Sequence, residues 1–151
     1  MEVKAQWQDE MTFEVQQDGH KFLIDAVPEV GGSDQGPRPK GLLLSALAGC
    51  TAMDVISILK KMRIPVERFS VGVHGELSSD HPKRFTTITT HYTIEGPADM
   101  SLKKIKRAIQ LSEEVYCGVS ATLRPGVELK TKITINQEEV EPNAAGKYLE
   151  D

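Results

Sequence analysis

The 151-residue chain is poor in cysteine, with only Cys50 and Cys117. A small secreted fold stapled by disulfides would carry more, so that class is excluded. Two cysteines far apart in the chain also offer too few ligands for a metal site, and no metal is expected. The opening residues, Met-Glu-Val-Lys-Ala-Gln-Trp-Gln-Asp-Glu, lack the basic and apolar runs of a signal peptide. A cytoplasmic protein with reduced thiols is expected. Positive charge is not in surplus either. The 18 Lys+Arg stand against 22 Asp+Glu, a net −4. Segment 137–151 holds five acids and one base and so accounts for the whole imbalance, leaving residues 1–136 balanced. No broadly basic surface for nucleic acid is expected. A phosphate-cradling glycine loop, a Gly-x-Ser-x-Gly turn and a His-Glu-x-x-His helix are all missing. Disorder is excluded too, because 39% of residues are hydrophobic and most fall in periodic segments.

One long apolar run is present, Leu42 to Leu59, close to the shortest length that spans a bilayer. Asp54 near its middle would be costly in lipid, so it reads as a buried helix from about Lys40 to Met62, with no membrane partner. Before it, Met11, Phe13 and Val15 alternate with polar residues, Asp18-Gly19 marks a hairpin, and Phe22, Ile24 and Ala26 continue the period. Val3 to Gln8 adds an edge strand, and Pro28 to Pro39 is a loop. After the helix, Phe69-Val71-Val73 and Ile88-Thr90-Tyr92-Ile94 share faces of two strands. A second helix runs from about Ser101 to Tyr116, then a strand from Val127 to Ile135. The expected fold class is α+β with mostly antiparallel pairing, one domain over residues 1–136 and a mobile acidic tail over 137–151. A helix apolar nearly all round needs more cover than one small sheet gives, so a homodimer is expected.

Chemistry centres on the cysteines. Cys50 lies mid-helix after Gly49, a residue that costs about 1 kcal/mol of helix propensity and leaves room for a neighbour or substrate. Asp54, at i+4, faces the same side and would raise a thiol pKa. Cys117 lies where the second helix ends. The pair reads either as inert core thiols or as redox partners, and contact between them needs the fold to bring two helices together. His20, His74, His81 and His91 fall on turns or polar faces and read as solvated. The basic run from Lys103 to Arg107 reads as a solvated helix face.

Two motifs carry a resemblance: Gly41-Leu-Leu-Leu-Ser-Ala-Leu-Ala-Gly-Cys50-Thr-Ala-Met-Asp54, and Glu113-Glu-Val-Tyr-Cys117-Gly-Val-Ser120 with the last strand after it. The sequence resembles the OsmC/Ohr family (osmotically inducible protein C and organic hydroperoxide resistance protein) over roughly Met11 to Asn136. The resemblance implies an OsmC-like fold, with antiparallel sheets wrapped around a long central cysteine-bearing helix in an intertwined homodimer. It implies thiol-dependent reduction of organic hydroperoxides. Cys50 would be oxidised to a sulfenic acid, Cys117 would close a disulfide with it, and an external dithiol or lipoyl-type reductant would restore both. No cofactor is implied. Leu47, Met53 and Tyr116 are candidates for an apolar substrate pocket. The family usually has a Glu nine positions before the first cysteine, orienting an activating Arg from the N-terminal strands. Gly41 stands at that position here, and no Arg precedes Arg38. Arg38 and Lys40 are the candidate substitute cations, with Lys21 behind them. The second motif usually reads Cys-Pro and here is Cys117-Gly118. The alternative reading is a non-enzymatic dimer that binds a small apolar or thiol-reactive ligand.

Overall fold

A computed structural model describes residues 1–143; residues 144–151, most of the expected mobile tail, lie outside the described residues. The chain forms two compact units, Met1–Leu43 and Leu44–Asp151.

The first unit is an antiparallel meander of β1 (Val3–Asp9), β2 (Thr12–Gln17) and β3 (His20–Ile24). The Asp18-Gly19 hairpin forms where the sequence places it. Both residues have positive φ, 51° and 82°, as a two-residue turn matched to strand twist requires. The loop after β3 is tied down by Asp25, which is 2% exposed. Its carboxylate accepts from the backbone N–H of Ala26, Ser33 and Gln35 at 2.7, 3.0 and 3.1 Å. The Gln35 N–H does most to hold that carboxyl below its usual range.

The second unit is a four-stranded sheet in the order β4 (Arg68–Leu77), β5 (Phe85–Glu95), β6 (Glu128–Ile135), β7 (Glu138–Val140). Pairing is mostly antiparallel, as expected, and the exception lies at the centre of this sheet, where β5 and β6 run parallel. The connection between them is long enough for a crossover. It contains α2 (Leu102–Leu111), one π-helical turn (Ser112–Tyr116) and α3 (Gly118–Leu123), the last of which has no counterpart among the expected elements. Nor does the sheet stop at Asn136. Asn136 and Gln137 both take positive φ, 48° and 69°, and turn the chain back so that Ile135 faces Glu138. The start of the acidic segment is therefore an ordered strand, and Val140 packs on the core.

Helix α1 (Pro39–Lys61) crosses from one unit into the other. The sequence predicts burial on several sides. Within this chain only one stripe is buried: Leu47, Thr51, Val55 and Leu59, spaced four apart. By length and composition α1 is apolar enough to cross a membrane, with mean hydropathy 2.0 over its best window, yet only 22% of that window is buried. Its stripe contributes to two apolar clusters. Val55 and Leu59 pack with Tyr92, Ile94, Ile105, Ile109 and Ile133. Leu47 packs with Phe85, Ile88 and Cys117, with Cys50 alongside. Each fully buried large aliphatic contributes about 1.5–3 kcal/mol. The second cluster positions the thiols.

Candidate functional site

Cys50 is held by α1, one turn before Asp54. Cys117 arrives by a different route. The π-helical turn ends with the Cys117 N–H donating to the Ser112 carbonyl, five residues back, at 2.8 Å. The wider turn carries an extra residue, which shifts the phase of the residues after it. The backbone at Cys117 then becomes extended, and its thiol caps α3 by accepting from the Ser120 N–H at 3.3 Å. Cys117 is 3% exposed and Cys50 half-buried, and both are free thiols.

These elements converge. The sulfurs of Cys50 and Cys117 and a carboxylate oxygen of Asp54 all lie within 4.8 Å of one another. The fully buried Ser112 hydroxyl donates to Asp54 Oδ2 at 3.1 Å. Burial pushes the Cys50 thiol above its usual range. The neighbouring Cys117 and the Asp54 carboxylate push the same way, while the Val119 N–H acts in the opposite direction by donating to the sulfur. The i+4 relation read from sequence thus has the expected electrostatic sign.

A second polar group centres on Glu113. Glu113 Oε1 accepts from the Thr131 and Tyr92 hydroxyls at 2.7 and 3.2 Å. Burial raises the Glu113 carboxyl from an ordinary 4.5, and Glu114 adds to this; the two hydroxyls and Arg124 oppose it. Burial likewise holds the Tyr92 phenol well above its usual range. A cleft of about 280 Å³ opens here, lined by Leu47, Lys106, Gln110, Glu113, Arg124 and Thr131 among others. Because the folded carboxyl binds its proton more tightly than the unfolded one, its stabilising contribution is full below pH 4.5. That contribution is lost as pH rises through the raised folded value. Glu113→Gln keeps an acceptor but no longer titrates. Its urea midpoint relative to the parent is therefore expected to rise between pH 4 and pH 7. A difference that stays flat with pH would contradict the assignment.

A family model described as "OsmC-like protein" matches residues 32–132, two thirds of the chain and both cysteines. The chain belongs to the OsmC family. Protein YhfA of Escherichia coli K12 is 33% identical over 130 residues, covering 85% of this chain and 93% of YhfA. A hypothetical protein from Aquifex aeolicus VF5 has a solved structure with TM-score 0.78 and 30% identity, over 91% of this chain and 97% of that one. The organic hydroperoxide resistance protein OsmC from Legionella pneumophila aligns with TM-score 0.66 and 20% identity, over 87% and 94% of the two chains. At that identity the likeness is one of fold.

For this OsmC-family member, the residues singled out in the sequence are not all brought together. Cys50 and Cys117 are. Leu47 and Tyr116 line different openings. Leu47 is 2% exposed and borders the cleft beside Glu113. Tyr116 is 60% exposed and lines a groove of about 520 Å³ with Asp54, Ser57, Ile58, Lys61, Met62 and Leu111. Met53 is 68% exposed and lines neither. Six residues of α-helix set Met53 about 120° around α1 from Leu47. Arg38 is engaged within the first unit, paired with Asp34 at 2.6 Å and donating to the Gly36 carbonyl at 2.9 Å. Lys40 is exposed in the first turn of α1, and Lys21 pairs with Glu14 at 2.8 Å. Ser112, Val119 and Ser120 join the site without having been singled out in the sequence. The Cys-x-Val-Ser motif is the sequence signal for Val119 and for Ser120, whose N–H donates to the Cys117 sulfur, while Ser112 lies outside it.

Proposed function

We propose that this OsmC-family protein reduces organic hydroperoxides through Cys50 and Cys117. The observation that carries the reading is the thiol pair. With sulfurs at most 4.8 Å apart, a disulfide needs them to close by about 3 Å at most. The Cys50 thiolate attacks the terminal peroxide oxygen; the O–O bond breaks, an S–O bond forms, and the alkoxide leaves and takes up a proton as alcohol. Cys117 then attacks the sulfenic sulfur, forming the S–S bond and releasing water. An external dithiol of dithiothreitol or dihydrolipoyl type returns both thiols by exchange, with no bound cofactor. Arg38 and Lys40 remain the proposed source of positive charge that activates Cys50, and Arg38 would have to leave Asp34 to serve. The setting proposed is the reducing cytoplasm, with no nucleic acid or membrane as partner.

The test is consumption of cumene hydroperoxide with dithiothreitol. Cys50→Ser is expected to reduce the rate to background, and an undiminished rate in the variant would sink the reading. That outcome would leave the second reading, a non-enzymatic dimer holding a small apolar or thiol-reactive ligand. Gly41 at the usual acid position and the Asp54 carboxylate beside the thiols favour that second reading.

The working form proposed is a homodimer. In support, α1 has Ala46 and Met53 exposed opposite its buried stripe, and a Cβ added at Gly49 would meet nothing within 4 Å. Val115 and Tyr116 add exposed apolar surface at 50% and 60%. A second copy of the same helix face supplies matching apolar cover.

A further inference from the structure

We infer that Cys50, Cys117 and Asp54 form a three-ligand site for a thiophilic divalent cation, with Zn2+ the best fit and a fourth position left open. Counting cysteines argues against a metal, because two sulfurs are too few. The fold changes the count by adding a carboxylate from the next turn of α1, which brings two sulfurs and one carboxylate oxygen within 4.8 Å of one another. Around one zinc, sulfur and oxygen ligands at about 2.3 and 2.1 Å stand about 3.5–4 Å apart. The observed cluster therefore needs a contraction of about 1.3 Å at most, within the reach of side-chain torsions.

The surroundings are those of a ligand set rather than of a bare acidic cluster. The Ser112 hydroxyl, itself fully buried, donates to Asp54 Oδ2 and orients the carboxylate. The Ser120 N–H donates to the Cys117 sulfur at 3.3 Å. Ionised together, the three groups repel one another, and a dication reverses that repulsion into attraction. Two sulfurs select against Ca2+ and Mg2+, and the single carboxylate suits a borderline ion such as Zn2+. Three protein ligands leave one position for water or a small ligand, which makes this an open site.

Binding here does not depend on the peroxide reading, and the two are separable. The probe is Co2+, titrated anaerobically into the reduced, metal-free, full-length protein, with subsequent displacement by Zn2+. One equivalent per chain is expected, with thiolate-to-cobalt charge-transfer absorption in the near ultraviolet and the visible bands of tetrahedral cobalt. Cys50→Ser and Cys117→Ser should each abolish the charge-transfer signal or weaken binding by several orders of magnitude. Asp54→Asn and Ser112→Ala should weaken it by about 10–100-fold, the size expected when a ligand or the group that orients it is lost. Circular dichroism of each variant shows whether it remains folded. Unchanged affinity in folded Asp54→Asn would overturn the three-ligand site, as would Co2+ binding no tighter in the parent than in Cys50→Ser. Peroxide consumption by the metal-free protein is a separate readout, so either proposal can fail without the other.

Discussion

Cys117→Ser is expected to lose intramolecular disulfide formation entirely. Treated with one equivalent of cumene hydroperoxide and no reductant, the parent chain should lose two hydrogens in mass, with Cys50 and Cys117 joined in one peptide pair. The variant should instead gain one oxygen at Cys50, in a form that dimedone traps as a sulfenic acid. The substitution is well suited to the question because of where Cys117 sits. Its sulfur is the N-cap of α3, accepting from the Ser120 N–H. A serine hydroxyl is a stronger acceptor and a favoured N-cap, so α3 and the cluster around Leu47, Phe85 and Ile88 should survive. The loss is then chemical, not structural. Unaltered Cys50 in the variant, with the parent still forming its disulfide, would mean that Cys117 and not Cys50 is attacked first, and the assigned roles would fall.

Met53→Glu is the second large effect, on assembly. Met53 is 68% exposed on the side of α1 away from the buried stripe, so a carboxylate there costs the single chain little. In a dimer that covers this face, two carboxylates would be taken from water and placed close together. Burying one unpaired charge costs several kcal/mol, so the dimer should weaken by at least about 10²-fold. Sedimentation equilibrium should show the parent at twice the 16.7 kDa chain mass and the variant as monomer. A variant that remains dimeric would place the interface elsewhere. The Lys60 and Lys61 end of the same helix offers a control, since a charge change there should leave assembly intact.

Much of the local structure is legible because it is written in short-range patterns. Alternation marks β2 and β5, the Asp18-Gly19 pair marks its hairpin, and Pro65 marks the end of the long helix. Other features leave little local trace. The Asn136-Gln137 turn lacks the glycine that usually signals a two-residue hairpin, so β7 reads as tail in the sequence. The π-helical turn at Ser112–Tyr116 reads as the continuation of α2. Extending the helical period carries Tyr116 onto the buried face with Ile105 and Ile109, but the wider turn leaves it 60% exposed.

The sequence by itself determined the family, through two cysteine motifs whose spacing survives in this chain, and it determined that Asp54 shares a helix face with Cys50. Those are statements about neighbours along the chain, where about 3.6 residues per turn suffices. Only the tertiary structure decided that Cys117 meets that face, because the meeting depends on a parallel crossover and one π-helical turn between distant segments. It also decided that Leu47 and Tyr116 line different openings, and that two thiols and a carboxylate share one small volume. That last outcome turns a count of cysteines too low for a metal into a set of three converging donors.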